Sequence, residues 1–253
     1  MGEPGVLAKA TTVLQSFTVE DHGVRFTEVQ RRTGLPKSTL HRLLREMVSL
    51  RLLDLEGDRY RLSGQLFELG MRASVERDLL EVAMPFLEDL YERTHEVVHL
   101  GIREGTEVVY VAKLNGHRPV RSPSRLGGRM PLHATAIGKA LLAHAPEEIR
   151  REVLTGSLPR LAPRTVVAPA LLSAQLEDVV ETGIAHENEE SSVGLTCIAA
   201  PVFNSADRAI AAVSITGTVG RMRPAQVATP LRAAAAGITA TLSRRDQLRD
   251  TGR

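Results

Sequence analysis

Between Leu35 and Leu50 two kinds of side chain recur at helical spacing. Ser38, Arg42, Arg45 and Ser49 fall on one side with His41 beside them, while Leu40, Leu43, Leu44, Met47 and Leu50 form an apolar stripe on the other. Guanidinium forks and hydroxyls on an exposed helix face can bond to the base edges of a DNA major groove. Glu46, the carboxylate in this stretch, lies off to the flank, and from Arg31 to Arg45 the charged residues are Arg31, Arg32, Lys37, Arg42 and Arg45. Further along, Ser214 and Thr216 alternate with Val213 and Ile215, so two hydroxyls share one face of a strand. They can serve a ligand in a dry cavity or bond to neighbouring backbone.

The other reactive residue types argue against catalysis. Cys197 could be a nucleophile, a redox sensor or a packed residue; its context, Leu195-Thr-Cys-Ile-Ala-Ala200, is apolar and leaves a thiol protonated and inert. Glu187, Glu189 and Glu190 resemble an acid pair for hydrolysis but fit better a solvated loop with one inward carboxylate. His133 reads as a hydrogen-bonding residue at a helix start. No two of the eight histidines have H-x-x-x-H spacing on one helix, and there is no CxxC and no glycine-rich phosphate loop. We therefore expect no catalytic residue, metal site or cofactor.

The elements that would position these residues follow from local signals. Leu7, Ala10, Val13, Leu14 and Phe17 predict a first helix. Thr27 with Gln30 reads as a capping box for a second, which Gly34 ends. Leu35 points into the core, and Pro36 suits the start of the helix carrying the basic face. Residues 52–62 predict a hairpin in which Leu53, Leu55, Tyr60 and Leu62 face inward and Arg59 and Arg61 outward, over phosphate or minor groove. Three helices and a basic hairpin make a winged helix-turn-helix. Beyond it we expect a connecting helix over 65–77, a helix over 79–94 kinked at Pro85, strands over 97–103 and 107–114, a possible strand over 118–122 and a mobile basic loop over 123–128. Helices over 134–144, 146–154 and 173–182, strands over 183–187, 196–204 and 208–216, and a final helix from Pro224 to about Arg244 with a frayed end complete the second domain. Such α+β modules often hold a small molecule against the sheet.

Composition sets the bounds. The 253 residues suit two domains, and 43% hydrophobic residues suffice for cores. A net charge of +2 means that nucleic-acid contact must come from local clustering. One cysteine suits a reducing cytoplasm, no apolar run reaches the ~18 residues of a membrane span, and the N-terminus lacks the pattern of a signal peptide. Aromatic residues at 3% argue against stacking platforms for single strands.

Three segments resemble the IclR family of bacterial transcriptional regulators: Gly34-Leu-Pro-Lys-Ser-Thr-Leu-His-Arg-Leu-Leu44, Pro131-Leu-His-Ala-Thr-Ala-Ile-Gly-Lys-Ala-Leu-Leu-Ala143 and Glu187-Asn-Glu-Glu-Ser-Ser-Val-Gly-Leu-Thr-Cys-Ile-Ala-Ala-Pro-Val202. Their order and spacing match over nearly the whole chain. The resemblance implies a winged helix-turn-helix over 1–63, a linker helix over 64–78 and a GAF-like effector-binding and oligomerisation domain over 79–253, in an α+β fold. It also implies dimers or tetramers on a palindromic or near-palindromic double-stranded operator, and a repressor rather than an activator. The implied DNA-binding residues are Thr27, Lys37, Ser38, Thr39, His41, Arg42, Arg45, Arg59 and Arg61, and the implied effector pocket comprises Ala136, Ile137, Glu187, Cys197, Ser214 and Thr216. The effector would be an organic acid or related oxygen-bearing metabolite. Glu187 stands where the family commonly has aspartate, and Ala136-Ile137 is bulkier than small-residue versions of this turn, which implies a tighter or more apolar pocket. Apolar faces of the first helix and of the linker around Leu66, Leu69 and Ala73 are candidates for the dimer interface. Two rival readings remain: an enzyme turning over a small acid, which lacks an activated nucleophile, and a scaffold whose helix-turn-helix only dimerises, which the clustered charge disfavours.

Overall fold

The structure, a computed structural model, describes residues 5–70, 72, 74–118, 120 and 122–251. The chain divides into two compact units, Met1–Arg77 and Asp78–Arg253.

In the first unit α1 (Val6–Gln15), β1 (Val24–Arg25), α2 (Phe26–Thr33) and α3 (Lys37–Ser49) precede the hairpin β2 (Leu53–Glu56) and β3 (Arg59–Leu62), with strand order β1-β3-β2. Gly34 ends α2 at φ 65°, the left-handed conformation that a residue without Cβ adopts at little cost. Val13, Val29, Leu40, Leu43, Leu44, Met47 and Leu53 form the core, with Leu35 packed against it. Thr27 does not cap α2: the chain runs directly from β1 into the helix, so the N-cap is Arg25 and Thr27 lies exposed in the first turn. Leu50 falls just beyond α3 and is 56% exposed rather than part of the buried stripe. Leu55 and Leu62 share the face of Leu53 by register but are exposed, while Leu53 alone of the three is buried.

The next helices are α4 (Gly64–Gly70) and α5 (Ser74–Thr94). The expected connecting helix is thus shorter, and the following helix starts earlier and runs through Pro85. Ala73 lies outside the described residues.

The second unit builds one antiparallel sheet from β4 (Val97–Glu104), β5 (Glu107–Leu114), β6 (Arg129–Pro131), β7 (Ala185–Asn188), β8 (Leu195–Phe203) and β9 (Ala209–Thr218), in the order β6-β5-β4-β9-β8-β7. Its helices are α6 (Ala136–Ala143), α7 (Glu147–Thr155), α8 (Pro169–Thr182) and α9 (Pro224–Thr251). Alternation along the strands splits the core in two. Val98, Leu100, Ile198, Val213 and Ile215 pack with Leu87 and Leu90 of α5 and Leu231 and Ile238 of α9. On the opposite face Val108, Tyr110, Ala199 and Ala212 pack with Ile137 and Leu141 of α6 and Leu172 of α8.

Several expectations change here. Residues 118, 120 and 122 are not strand, and Pro119 and Arg121 lie outside the described residues. The strand beside β5 is instead β6, whose three residues are too few to show a period. The 123–128 loop is tied down: Lys113 Nζ donates to the Ser124 carbonyl (2.7 Å), and Ser124 is buried. The end of α9 is helical to Thr251, with Arg245 and Arg249 each 2.8 Å from Glu81 and Asp78 of α5.

Candidate functional site

The first candidate site is the outer face of α3. Lys37, Ser38, His41, Arg42 and Arg45 are exposed there and Thr39 is half-buried. Among the described residues no ion pair engages Lys37, Arg42 or Arg45. The His41 ring stacks on Phe26, with centroids 4.1 Å apart, which fixes one side chain of the exposed face against α2. On the wing, Arg59 donates to the Gly23 carbonyl (3.0 Å) and Arg61 pairs with Glu56. The basic run is smaller than its sequence suggests. Arg31 forks onto Glu28 (2.8 and 2.6 Å), while Arg32 binds Glu28 (2.7 Å), Asp21 (2.5 and 3.0 Å) and the Ser16 carbonyl (2.9 Å). Arg31 and then Arg32 hold the Glu28 carboxyl down at about 2. The acids that neutralise this pair stand upstream of the run, at Asp21 and Glu28, where a count from Arg31 onward misses them.

The second candidate site lies between the sheet and α6. Register aligns Glu187 (β7), Cys197 (β8), Thr216 (β9) and Val97 (β4) in one row, and Ser214 pairs with His99 two residues along. The shift between Leu100 and Gly101 brings Tyr110 of β5 to the same face. Gly101 has no side chain where Ile137 of α6 arrives: a Cβ there would stand 2.9 Å from its Cγ2. Thr135 caps α6 by accepting the Gly138 N–H (3.0 Å). By helix geometry the N–H groups of Ala136 and Ile137 have no partner within the helix. Glu187, Cys197, Ser214, Thr216, Ala136 and Ile137 all line one cavity of about 20 Å³.

Burial at the cavity disfavours charge. Burial, reinforced by the Lys113 charge, pulls the His99 imidazole from 6.5 to about 3, so it is neutral. Its Nε2 faces Ser124 Oγ at 2.8 Å, and its Nδ1 lies 3.4 and 3.5 Å from the hydroxyls of Ser214 and Thr216. Those hydroxyls therefore face side chains rather than backbone. Burial also raises the Cys197 thiol well above its ordinary value, and the thiol donates to Thr216 Oγ1 (3.0 Å). Burial, first of all, raises the Tyr110 hydroxyl well above its ordinary value.

Glu187 is 1% exposed. Its Oε1 accepts from the Glu190 N–H (2.7 Å), the Ser191 N–H (2.9 Å) and Ser191 Oγ (3.2 Å), whereas its Oε2 is buried without a partner. Burial raises this carboxyl, against the lowering by the Ser191 N–H, the neighbouring Cys197 thiol and the Glu190 N–H. Contrary to a loop with a single inward carboxylate, Glu190 is buried too, 2.6 and 2.7 Å from the ammonium of fully buried Lys139.

His99, Tyr110, Ser124 and Thr135 line the cavity without having been singled out from sequence. For His99 a signal existed: one polar residue inside the apolar run Val97-Val-His-Leu100. For Ser124 none did, because a loop bends onto the sheet by contacts that have no period.

Comparison with known proteins agrees with this arrangement. Residues 6–57 match the IclR helix-turn-helix domain, and residues 71–240 match the bacterial transcriptional regulator IclR C-terminal domain. The chain is 34% identical over 223 residues to the transcriptional regulator XynR of Escherichia coli, covering 87% of this chain and 88% of that protein. It is 32% identical over 219 residues to the transcriptional repressor AllR of the same organism, covering 85% and 81%. An IclR homolog from Microbacterium hydrocarbonoxydans, solved in complex with 4-hydroxybenzoate, superposes with a TM-score of 0.88 at 34% identity, covering 95% of this chain and all of that one. With a reading helix in one unit, a polar cavity on the sheet of the other and both family domains matched in order, the chain belongs to the IclR family of bacterial transcriptional regulators.

Proposed function

We propose that the chain is a cytoplasmic repressor, without enzymatic activity, that holds a palindromic operator as a dimer or tetramer and releases it on binding an organic acid. Residues 1–63 bind DNA, 64–78 transmit, and 79–253, a GAF-like domain, bind effector and assemble the oligomer. Arg42 and Arg45 read base edges. Thr27, Lys37, Ser38, Thr39, His41, Arg59 and Arg61 add phosphate, hydroxyl and wing contacts.

One observation carries the effector reading: a buried cavity with unmatched groups of opposite kind at its walls. The N–H groups at the start of α6 suit a carboxylate. Glu187 Oε2 is an unpartnered acceptor that suits a hydroxyl or amide donor. Between them stand His99, Ser214 and Thr216, which can accept or donate, and the apolar walls Tyr110, Met130 and Ile137. A hydroxylated carboxylic acid meets all of these groups, and the Microbacterium relative is solved with a ligand of that kind. A cavity of about 20 Å³ has room for about one water. Binding therefore pushes aside Ser124, whose hydroxyl occupies His99 Nε2. The name of AllR supports repression.

The test is the double change Ser214→Ala with Thr216→Val, which removes both hydroxyls at nearly constant volume. Calorimetric titration with candidate acids, beside gel shifts with and without them, should show the effector response lost and operator binding by the free protein retained. Undiminished effector affinity in the double variant would place the pocket elsewhere.

A further inference from the structure

A fully buried lysine needs a reason. Lys139 is 0% exposed one helical turn beyond the cavity-lining start of α6, and burial pulls its pKa down while the Glu190 carboxylate opposes this. Its Nζ donates to both oxygens of Glu190 and to the His186 carbonyl (3.2 Å). A buried ion pair of this kind contributes little net stability, because desolvation offsets the attraction, and an apolar pair of similar volume often serves as well. What the pair does accomplish here is geometric. Glu190 belongs to the turn after β7. Its side chain is held by Lys139, its carbonyl accepts from Thr165 Oγ1 (2.7 Å), and its N–H goes to Glu187 Oε1 (2.7 Å). The neighbouring Ser191 adds its own N–H to the same oxygen (2.9 Å). With Oε1 occupied in this way, Oε2 is left without a partner at the cavity.

We propose that Lys139 and Glu190 are positioning residues of the cavity: their buried ion pair fixes the 189–191 turn, and the turn decides that Glu187 offers a free oxygen to the bound molecule. This rests on reading the cavity as the effector pocket. It extends that reading by making ligand choice depend on two residues that do not line the cavity. It also gives α6 two tasks, since its first turn lines the cavity and its second orients the acid opposite.

The chain carries its own reporter. Cys197 is its single cysteine, pairs in register with Glu187 and donates its S–H to Thr216. The infrared S–H stretch of the ligand-free full-length protein therefore reads the surroundings of Glu187 at one site. Three variants are compared with wild type: Glu187→Gln, Lys139→Met with Glu190→Leu, and Glu190→Gln, which keeps the side-chain shape if the double variant fails to fold. Glu187→Gln should shift the band. The double variant should melt at or above the wild-type temperature yet show a shifted or broadened band, and Glu190→Gln should move it in the same direction by less. A band unchanged in the folded double variant, or unchanged in Glu190→Gln where the double variant does not fold, overturns the proposal, as does an unchanged band in Glu187→Gln. A purely stabilising pair would lower the melting temperature and leave the band in place. The readout contains no ligand, so failure of the effector reading in titrations is separable from failure here.

Discussion

Two side chains on α3 should carry base discrimination. Arg42 and Arg45 are exposed on the reading face, and replacing whichever one forks onto a base should cost about 1–3 kcal/mol and relax preference at one operator position. Gel shifts with an operator library measure this, and unchanged affinity in both Arg42→Ala and Arg45→Ala would refute the docking. In the cavity, His99 makes a prediction of opposite character, about stability rather than recognition. Its folded pKa of about 3 lies below the ordinary 6.5, so the unfolded chain takes up the proton first as the solution is acidified. The contribution of neutral His99 is complete above about pH 6.5 and is lost as pH falls toward 3. Urea unfolding of His99→Gln should show a shallower loss of stability across that window, by up to about one proton. An identical slope would mean that His99 titrates normally.

At the scale of elements, the start of α6 is the most constrained point described. A Cβ on Gly138 would overlap the Leu132 carbonyl and stand 2.6 Å from Thr135 Oγ1, the atom that caps the helix. Gly138→Ala should therefore destabilise the second unit by about 1–3 kcal/mol or more, comparable to other overpacked cores, and disturb the cavity with it. Calorimetric melting of the variant checks this, and a melting temperature within a degree or two of wild type would contradict it. The same helix shows what could be read from sequence. Its presence, its approximate start and the place of Ala136-Ile137 beside the sheet are legible in the Pro131–Ala143 motif, and the shared face of Ser214 and Thr216 in the period of a strand. The Lys139–Glu190 pair is not, because it joins residues 51 apart through a turn whose shape no local pattern encodes. Nor is β6, whose three residues are recruited by pairing with β5 rather than by propensity. Thr27 does not cap α2 because strand pairing with β3 fixes where the helix begins, a long-range contact that the local capping pattern does not contain.

For the whole molecule, the proposed operator recognition calls for two copies, since one helix-turn-helix contacts too few base pairs for specificity among competing sites. Val6 and Leu7 of α1 and Phe67 and Leu69 of α4 are exposed apolar side chains on the DNA-binding unit, which supports a role in self-association. Light scattering should give a dimer or tetramer, and a monomer at micromolar concentration would contradict it. Under the proposed mechanism, an effector loosens DNA only to the extent that it prefers the arrangement that does not bind it. The internal neutralisation of Arg31 and Arg32 has a consequence for how the protein meets its operator in the first place. A cation that already holds a carboxylate displaces no condensed ions from the duplex, and each phosphate truly neutralised adds about 0.9 to the slope of log affinity against log salt. The ionic-strength dependence of operator binding should accordingly count Lys37, Arg42, Arg45 and Arg59 but pass over Arg31, Arg32 and Arg61, which already hold carboxylates. A protein whose sequence advertises a strong polyelectrolyte grip should thus bind with a shallower salt response, and depend more on fit than on charge to find its site.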